Sequence, residues 1–540
     1  VKEQPVVPTP VAKAVDIPSD SPKTAKDKAI AVIAIEPEHL AGIRSIDAHG
    51  GQLLDTISAY IGHVDRNTLK VAPSSLMQGW KQIAPDQWEY DLRPGVTFHD
   101  GAEWNVSAWQ EYASFSGVAE FGVNAYSVAG PYTVEEISPL KGLAKCGGPC
   151  PLFEWGLYLS HAYSPVALKS DEFIDMREPA GAGPYKVTEW IPGQKIVTNA
   201  FQGFVAVPET PEYAAPILDE IEWQWREETT VRAAMIETGE ADWAFLLSLD
   251  DADRLGPDRF VVGGTAEMAW YRVDNIWDPW LKQKKMRQAL VHSIDCESIV
   301  ASIYKGTTTC RGNFGVPGVT GITEENSRPY GYDPTLSRQL LEEIGYICGL
   351  PNSEPNCEAE IKVNSRAARI PFHTEMVESM VSFMADSGIN AKAQFLEGSI
   401  RAAMRDCGLG RGGQRTGWQG ATEDKKPTEC DPGQITDIVG TGYEDLDYAK
   451  FMSRRMLCES ASTTVCVPER EDEWRKAREL SGEERRIALE EIATIAREEV
   501  QAGLPLFDLS AIYGVNPKLR GFEEPRFDKH LFANLWWFGE

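Results

Sequence analysis

Between Glu227 and Phe395 short strand-like runs alternate with segments of helical period, and this beat restricts the fold more than anything else in the chain. Glu227–Gly239 reads as a helix with Gly239 as its stop, and Ala241–Leu247 follows as a strand. The pattern returns in Met286–Tyr304 (helix), Ile361–Ser365 (strand), Thr374–Ser387 (helix, closed by Gly388) and Ile389–Phe395 (strand). This order predicts parallel β-α-β units, whose helices cover the faces of a buried sheet. An α/β architecture follows. With 540 residues the chain exceeds one ordinary core, so two or three lobes are expected.

Outside that region the signals are local. Lys28–Ile35 is a β-branched apolar run that opens the folded body as a buried strand. Gln87–Tyr90, the punctuation at Pro94 and Gly95, and Val96 predict a hairpin with Phe98 pointing inward. Glu469–Gln501 reads as charged helix broken at Ser481 and Gly482. Cys407–Gly442 is rich in Gly, Thr, Asp, Lys and Pro with little periodicity, which marks a functional loop or disorder. Residues 1–29 alternate Pro, Lys, Asp and Ser without an apolar run and read as a disordered tether. An exported chain relieved of its leader would begin this way, as would a lipoprotein linker.

Charge and cysteine usage exclude whole classes of partner. The 81 acidic and 53 basic side chains leave a formal charge of -28, which opposes binding to nucleic acid or to an anionic membrane surface. No apolar run approaches the roughly 20 residues of a membrane-spanning helix. Ten cysteines fall into neighbours along the chain: Cys146 with Cys150, Cys296 with Cys310, Cys348 with Cys357, Cys407 with Cys430, and Cys458 with Cys466. They predict five local disulfides and an oxidising compartment, periplasmic or extracellular; unpaired buried thiols are the alternative. There is no C-x-x-C and the eight histidines are scattered, so neither a structural metal nor a cofactor is expected.

Several blocks stand in a telling order. Ser45–Ala48 is followed by Trp88–Gly101 (WEYDLRPGVTFHDG), Ala180–Trp190 (AGAGPYKVTEW) and Met286–Ile299 (MRQALVHSIDCESI), with softer blocks at Tyr332–Gly345 and Met380–Ala391. Together they resemble the oligopeptide-, dipeptide-, nickel- and opine-binding proteins of ABC importers, along nearly the whole body. Two departures stand out: Asp47-Ala48 replaces an Asp-Pro turn, and Asn105–Trp109 replaces a Thr-Ala-x-Asp-Val run. The resemblance implies a type II periplasmic-binding-protein fold with two lobes, the first carrying an extra subdomain, joined by a two-segment hinge. It places lobe I at 30–279 with an inserted subdomain at about 50–180, lobe II at 280–502, and a return to lobe I at 503–540. His99, Asp100 and Gly101 are expected to fix a loop rather than to act on a substrate.

Capture of a polar solute needs aromatic walls and a few polar groups that are desolvated on closure. Trp270, Tyr271 and Asn275 stand just before the expected crossover, where strand ends of α/β lobes face a crevice; ordinary core residues would look the same. A second candidate is Gly417–Asp424, which resembles the Gly-Trp-x-Gly-Asp stretch of dipeptide binders; there Trp418 matches the tryptophan, and Asp424, with Glu423 beside it, falls nearest the carboxylate that takes a ligand's ammonium group. A solvated turn is the competing reading. Arg366, Arg369 and Arg401 are candidates to clamp a carboxylate or phosphate. The expected partners are a small peptide, opine or similar ligand and an ABC-transporter permease, with the protein a monomer that is lipid-anchored if the tether is a lipoprotein linker.

A secreted hydrolase acting on peptides or glycans is the rival class. No G-x-S-x-G, H-E-x-x-H or P-loop occurs, and the one G-x-G-x-x-G match (Gly408, Gly410, Gly413) has no strand before it. No catalytic residue is therefore expected.

Overall fold

A computed structural model of the chain describes residues 25–41, 48–65, 70–116, 131–158, 160–170, 177–275, 278–346, 360–366, 372–396, 437–442, 447–458, 465–501, 503–524 and 531–539. Its backbone is a ten-stranded mixed sheet. At one end Lys28–Ile33, whose residues are buried along most of its length, lies between Glu220–Trp225 and Trp243–Ala244 and parallel to both. Tyr185–Ile191 and Lys195–Ala200 extend this end antiparallel. At the other end Ile361–Arg366 and Ala391–Leu396 pair in parallel, with the helix His373–Asp386 between them in sequence, as the β-α-β beat requires.

Two strands of 13 residues, Phe260–Arg272 and Gly503–Val515, run antiparallel through the middle and join the ends. Val515 pairs with Trp243 in the first lobe, whereas Arg272 pairs with Asp437 in the second. Between Gly264 and Met268 their register shifts, and Thr265 Oγ1 donates across the break to Leu509 O. A bulge of this kind bends a ladder locally, and a second register shift follows between Ala269 and Trp270.

Each lobe has its own buried core. The first packs Ala31, Trp223, Trp243, Tyr513 and Trp536 on one side of the sheet and Val32, Ile236, Leu249 and Ile512 on the other. The second packs Tyr271, Met286, Leu290, Val363, Met380 and Phe507. A separate four-stranded sheet, ordered Met77–Ala84, Gln87–Leu92, Lys141–Cys146, Tyr132–Ser138, covers a third core around Tyr90, Phe98, Trp109 and Phe153.

The family-like blocks are structural, as expected. Gly181 and Gly183 pass so close to the end of the helix Ala48–Ile57 that a Cβ on Gly181 would meet Ile57 O at 2.2 Å. Arg287 donates to the carbonyls of Leu281, Lys282, Glu499 and Val500, tying its helix Lys284–His292 to the chain entering the second long strand. His99 Nε2 contacts Gly183 O, and Gly101 holds the left-handed turn at φ +89°.

Local expectations are met unevenly. Thr229–Thr238 is a helix ended by left-handed Gly239, and the charged region breaks into Glu471–Glu479 and Gly482–Glu498. The hairpin is displaced: Gln87–Leu92 pairs with Met77–Ala84 and Lys141–Cys146, while the reversal falls at His99–Gly101, where Thr97 bridges Glu103. Pro94 and Gly95 only bend the chain, because the strand's ladder partners are already taken by Met77–Ala84, through a tight turn at Pro85 and Asp86, and by the distant Lys141–Cys146. Met286–Tyr304 is two helices, Lys284–His292 and Cys296–Ser302, because the Asp295 side chain caps the second at Ser298 N. Asp437–Gly442, read as irregular, is a strand held between the long strand Phe260–Arg272 and Ile361–Arg366 of the second lobe. Disulfides join Cys146 to Cys150, Cys296 to Cys310 and Cys458 to Cys466. The pairs Cys348–Cys357 and Cys407–Cys430 lie outside the described residues, as do residues 1–24 of the tether.

Candidate functional site at the seam of the lobes

Strand alternation sorts the residues at the lower end of Phe260–Arg272. Ala269, Tyr271 and Val273 enter the core of the second lobe; Met268 and Trp270 face the other way, into a cluster that draws on both lobes. That cluster unites Val64 and Tyr158 of the first lobe with Phe314, Val319, Tyr448, Phe451 and Trp474 of the second. Trp270 lies edge-on to Phe314 at 5.0 Å and to Phe451 at 5.9 Å, and Phe314 stacks on Phe451 at 3.8 Å. The Arg455 guanidinium sits over the Trp270 ring at 5.7 Å. Aromatic walls therefore meet cationic groups where the lobes join.

Polar groups line the same face. Asn364 and Arg272 fall in one cross-strand row through the backbone of Asp437, and their side chains are buried while the neighbouring Val363, Ile438 and Tyr271 belong to the second core. Lys450, on the helix Tyr448–Arg455, is buried as well. In this cluster Trp270 Nε1 and Trp474 Nε1 are shielded from solvent without a hydrogen-bond partner among the described residues, and so are both polar atoms of the Asn275 amide just beyond the strand end. Buried polar atoms in a native protein are almost always bonded, so such atoms call for an explanation such as a ligand or water.

The elements that present these side chains are held by stronger contacts. Asp447 caps the helix Tyr448–Arg455 by accepting from Ala449 N at 2.8 Å, and Arg485 grips both of its oxygens at 3.0 and 3.2 Å. Burial raises the Asp447 carboxyl above its ordinary range, and the Arg485 guanidinium opposes that rise. In the first lobe Tyr60 donates to Asp55 at 2.5 Å and lies against His161 at 4.1 Å, and Ser58 Oγ is 2.6 Å from His161 Nδ1. Burial lowers the His161 pKa, so the ring stays neutral. Among the described residues no group of three or more His, Cys, Asp or Glu side chains is arranged to hold a metal, and no helix is long and apolar enough to cross a membrane.

Of the residues singled out from sequence, Trp270 is in the seam and Asn275 follows it with its amide unpaired. Tyr271 points into the second core and donates to Lys362 O at 2.9 Å, because adjacent strand residues take opposite faces. Arg401, Trp418, Glu423 and Asp424 lie outside the described residues. The reading missed Tyr158, Phe314, Phe451 and Arg455, which reach the seam from segments far apart in sequence.

Three comparisons bear on this geometry. The family model described as bacterial extracellular solute-binding proteins, family 5 Middle, matches residues 72–427. The glutathione-binding protein GsiB of Salmonella typhi is 25% identical over 341 residues, which is 61% of this chain and 63% of the relative, so the match spans less than two thirds of that protein. Among solved structures, the substrate-binding protein CtaP of Listeria monocytogenes superposes with a TM-score of 0.77 at 14% identity, covering 96% of this chain and 100% of its own. The periplasmic binding protein DppA of Helicobacter pylori, in complex with the peptide STSA, does so with a TM-score of 0.71 at 17% identity, covering 95% and 98%. At such identities the two structures establish the fold, which has two lobes.

Proposed function

Because this chain belongs to the bacterial extracellular solute-binding proteins of family 5, we propose that it captures a short peptide or peptide-like solute between its lobes, outside the cytoplasm, and delivers it to the permease of an ABC importer. The observation that carries this reading is the unbonded, solvent-shielded Trp270 Nε1 in a seam walled by aromatic rings, with the unbonded Asn275 amide just beyond the end of the same strand. A bound solute supplies the missing partners, and Arg272, Lys450 and Arg455 suit a carboxylate such as a peptide terminus. On the strength of the sequence resemblance Asp424 takes the ammonium end, with Trp418 and Glu423 as further candidates from the same stretch, and Arg401 is a candidate for the carboxylate end.

In this proposal the protein acts as a monomer without cofactor or catalytic residue, and residues 1–24 tether it outside the membrane, as a lipoprotein linker would. The lobe boundaries near 280 and 502 then fall just beyond the lower ends of the two long strands, which serve as the hinge. The binding of glutathione and of the peptide STSA by two related proteins supports a peptide ligand.

Mass spectrometry of the protein under native conditions, followed by denaturation, tests the reading. A peptide or peptide-like compound released at one per chain is expected, and the refolded protein should be stabilised by returning that compound unchanged. Conversion of the compound into products would contradict a binding role.

A further inference from the structure

Across the hinge, away from the aromatic seam, the two lobes touch again through side chains that solute capture does not use. The helix Leu249–Leu255 belongs to the first lobe, where Leu249, Ala252 and Leu255 pack with Val32 and Ile512. The loop after the helix Cys296–Ser302 belongs to the second, whose core holds Ile299, Val300 and Tyr304. Both helices contact the long strand Gly503–Val515. Between them Lys305 Nζ reaches Asp250 at 3.0 Å and Asp253 at 2.6 Å. Beside it Phe372 meets Tyr304 edge-on at 5.9 Å and packs against the second core and the first-lobe cluster alike.

Two further facts single out this contact. Lys305 and Phe372 have φ of +49° and +54°, a left-handed backbone that residues with a Cβ adopt only when their surroundings impose it. The Lys305 loop is also fixed to the hinge itself. The Cys296–Cys310 disulfide closes it, Cys310 bridges Phe507, Arg311 N donates to Leu506 O at 2.8 Å, and the Arg311 guanidinium binds Asp508 Oδ2 at 2.8 and 2.6 Å. Lys305 is thus carried rigidly by a hinge strand, while its carboxylate partners move with the other lobe.

We propose that Lys305 with Asp250 and Asp253, and Phe372 with Tyr304, form a latch across the hinge that holds the lobes at the angle described here and so sets how often the ligand-free protein occupies it. The proposal rests on the two-lobe reading of function. Rotation about the hinge by a few ångströms at this radius separates ion pairs that touch at 3.0 Å or less. The three charged side chains are partly or largely exposed, so salt weakens the ionic half of the latch. The Phe372 half is apolar and insensitive to salt. Because apparent affinity scales with the fraction of competent protein, the latch tunes solute binding without touching the solute.

The test uses the full chain, freed of solute by unfolding and refolding with its disulfides intact, and carrying spin labels on unnatural amino acids at the exposed positions Val166 and Ile487. Pulsed dipolar spectroscopy then reads the distance between the lobes. At low salt Lys305→Ala should lower the ratio of the population at the latched inter-lobe distance to the other population by about two- to fivefold, and Lys305→Arg should preserve it. About 1 M NaCl should act on the wild type as Lys305→Ala does and change that variant little, whereas Phe372→Ala should lower the ratio equally at both salt concentrations. Two populations whose ratio is the same in wild type, Lys305→Ala and Phe372→Ala would refute the latch and leave the lobe motion standing. One invariant distance in every variant, with and without the co-purifying solute, would refute both.

Discussion

Trp270 and Tyr271 are neighbours in sequence and opposites in role, and the difference is measurable. Asn275→Ala removes an amide that is buried and unpaired, so affinity for the co-purifying solute should fall about tenfold by calorimetry, with little change in melting temperature. Tyr271→Phe should leave affinity within about twofold and cost about 1 kcal/mol of stability, because the hydroxyl donates to Lys362 O within the second core. The reverse pattern would move the site to the other face of the strand. His99 makes a separate prediction. Burial lowers its pKa from 6.5 to about 4, while the unfolded chain protonates near 6.5. Its stabilising effect is complete above pH 6.5 and lost as pH falls toward 4, a loss on the order of 3 kcal/mol. Urea titrations of His99→Gln should show a flatter decline over that window than the wild type; parallel curves would assign the acid sensitivity elsewhere.

At the scale of elements, the helix that carries Lys450, Phe451 and Arg455 depends on the buried Asp447–Arg485 pair, whose side chains are 3% and 6% exposed. Arg485→Ala leaves that carboxylate buried without its cation and should cost about 3–5 kcal/mol, measured by denaturant unfolding. Gly181→Ala should cost about 1–3 kcal/mol, since its Cβ has no room beside Ile57 O. What sequence disclosed at this scale follows from the range of the forces involved. Gly239 and Ser481-Gly482 announce helix boundaries because capping and backbone freedom act within a few residues. The parallel pairing of Ile361–Arg366 with Ala391–Leu396 was legible from period alone. The strand Asp437–Gly442 was not, because six residues that include two glycines and a threonine become a strand only when distant neighbours on both sides, Arg272 and Asn364 among them, pair with them. The walls of the seam were hidden for the same reason: Tyr158, Phe314 and Phe451 meet through tertiary folding and share no local pattern. Trp270 was found because a strand end beside a crossover is a place dictated by topology.

For the whole molecule, the two 13-residue strands matter most, since they are shared by both lobes and their register breaks between Gly264 and Met268. A continuous sheet gives each lobe a rigid body, and the register breaks between Gly264 and Trp270 favour bending along that stretch. The aromatic seam closes one side of that stretch and the Lys305 latch the other, so solute and latch act on one lobe angle. The account therefore stands on movement of the lobes upon capture. Small-angle scattering of the refolded, solute-free chain, repeated with the co-purifying solute at a saturation verified by calorimetry, measures that movement directly. A smaller radius of gyration in the saturated sample is the predicted result; identical dimensions at full occupancy would contradict the account.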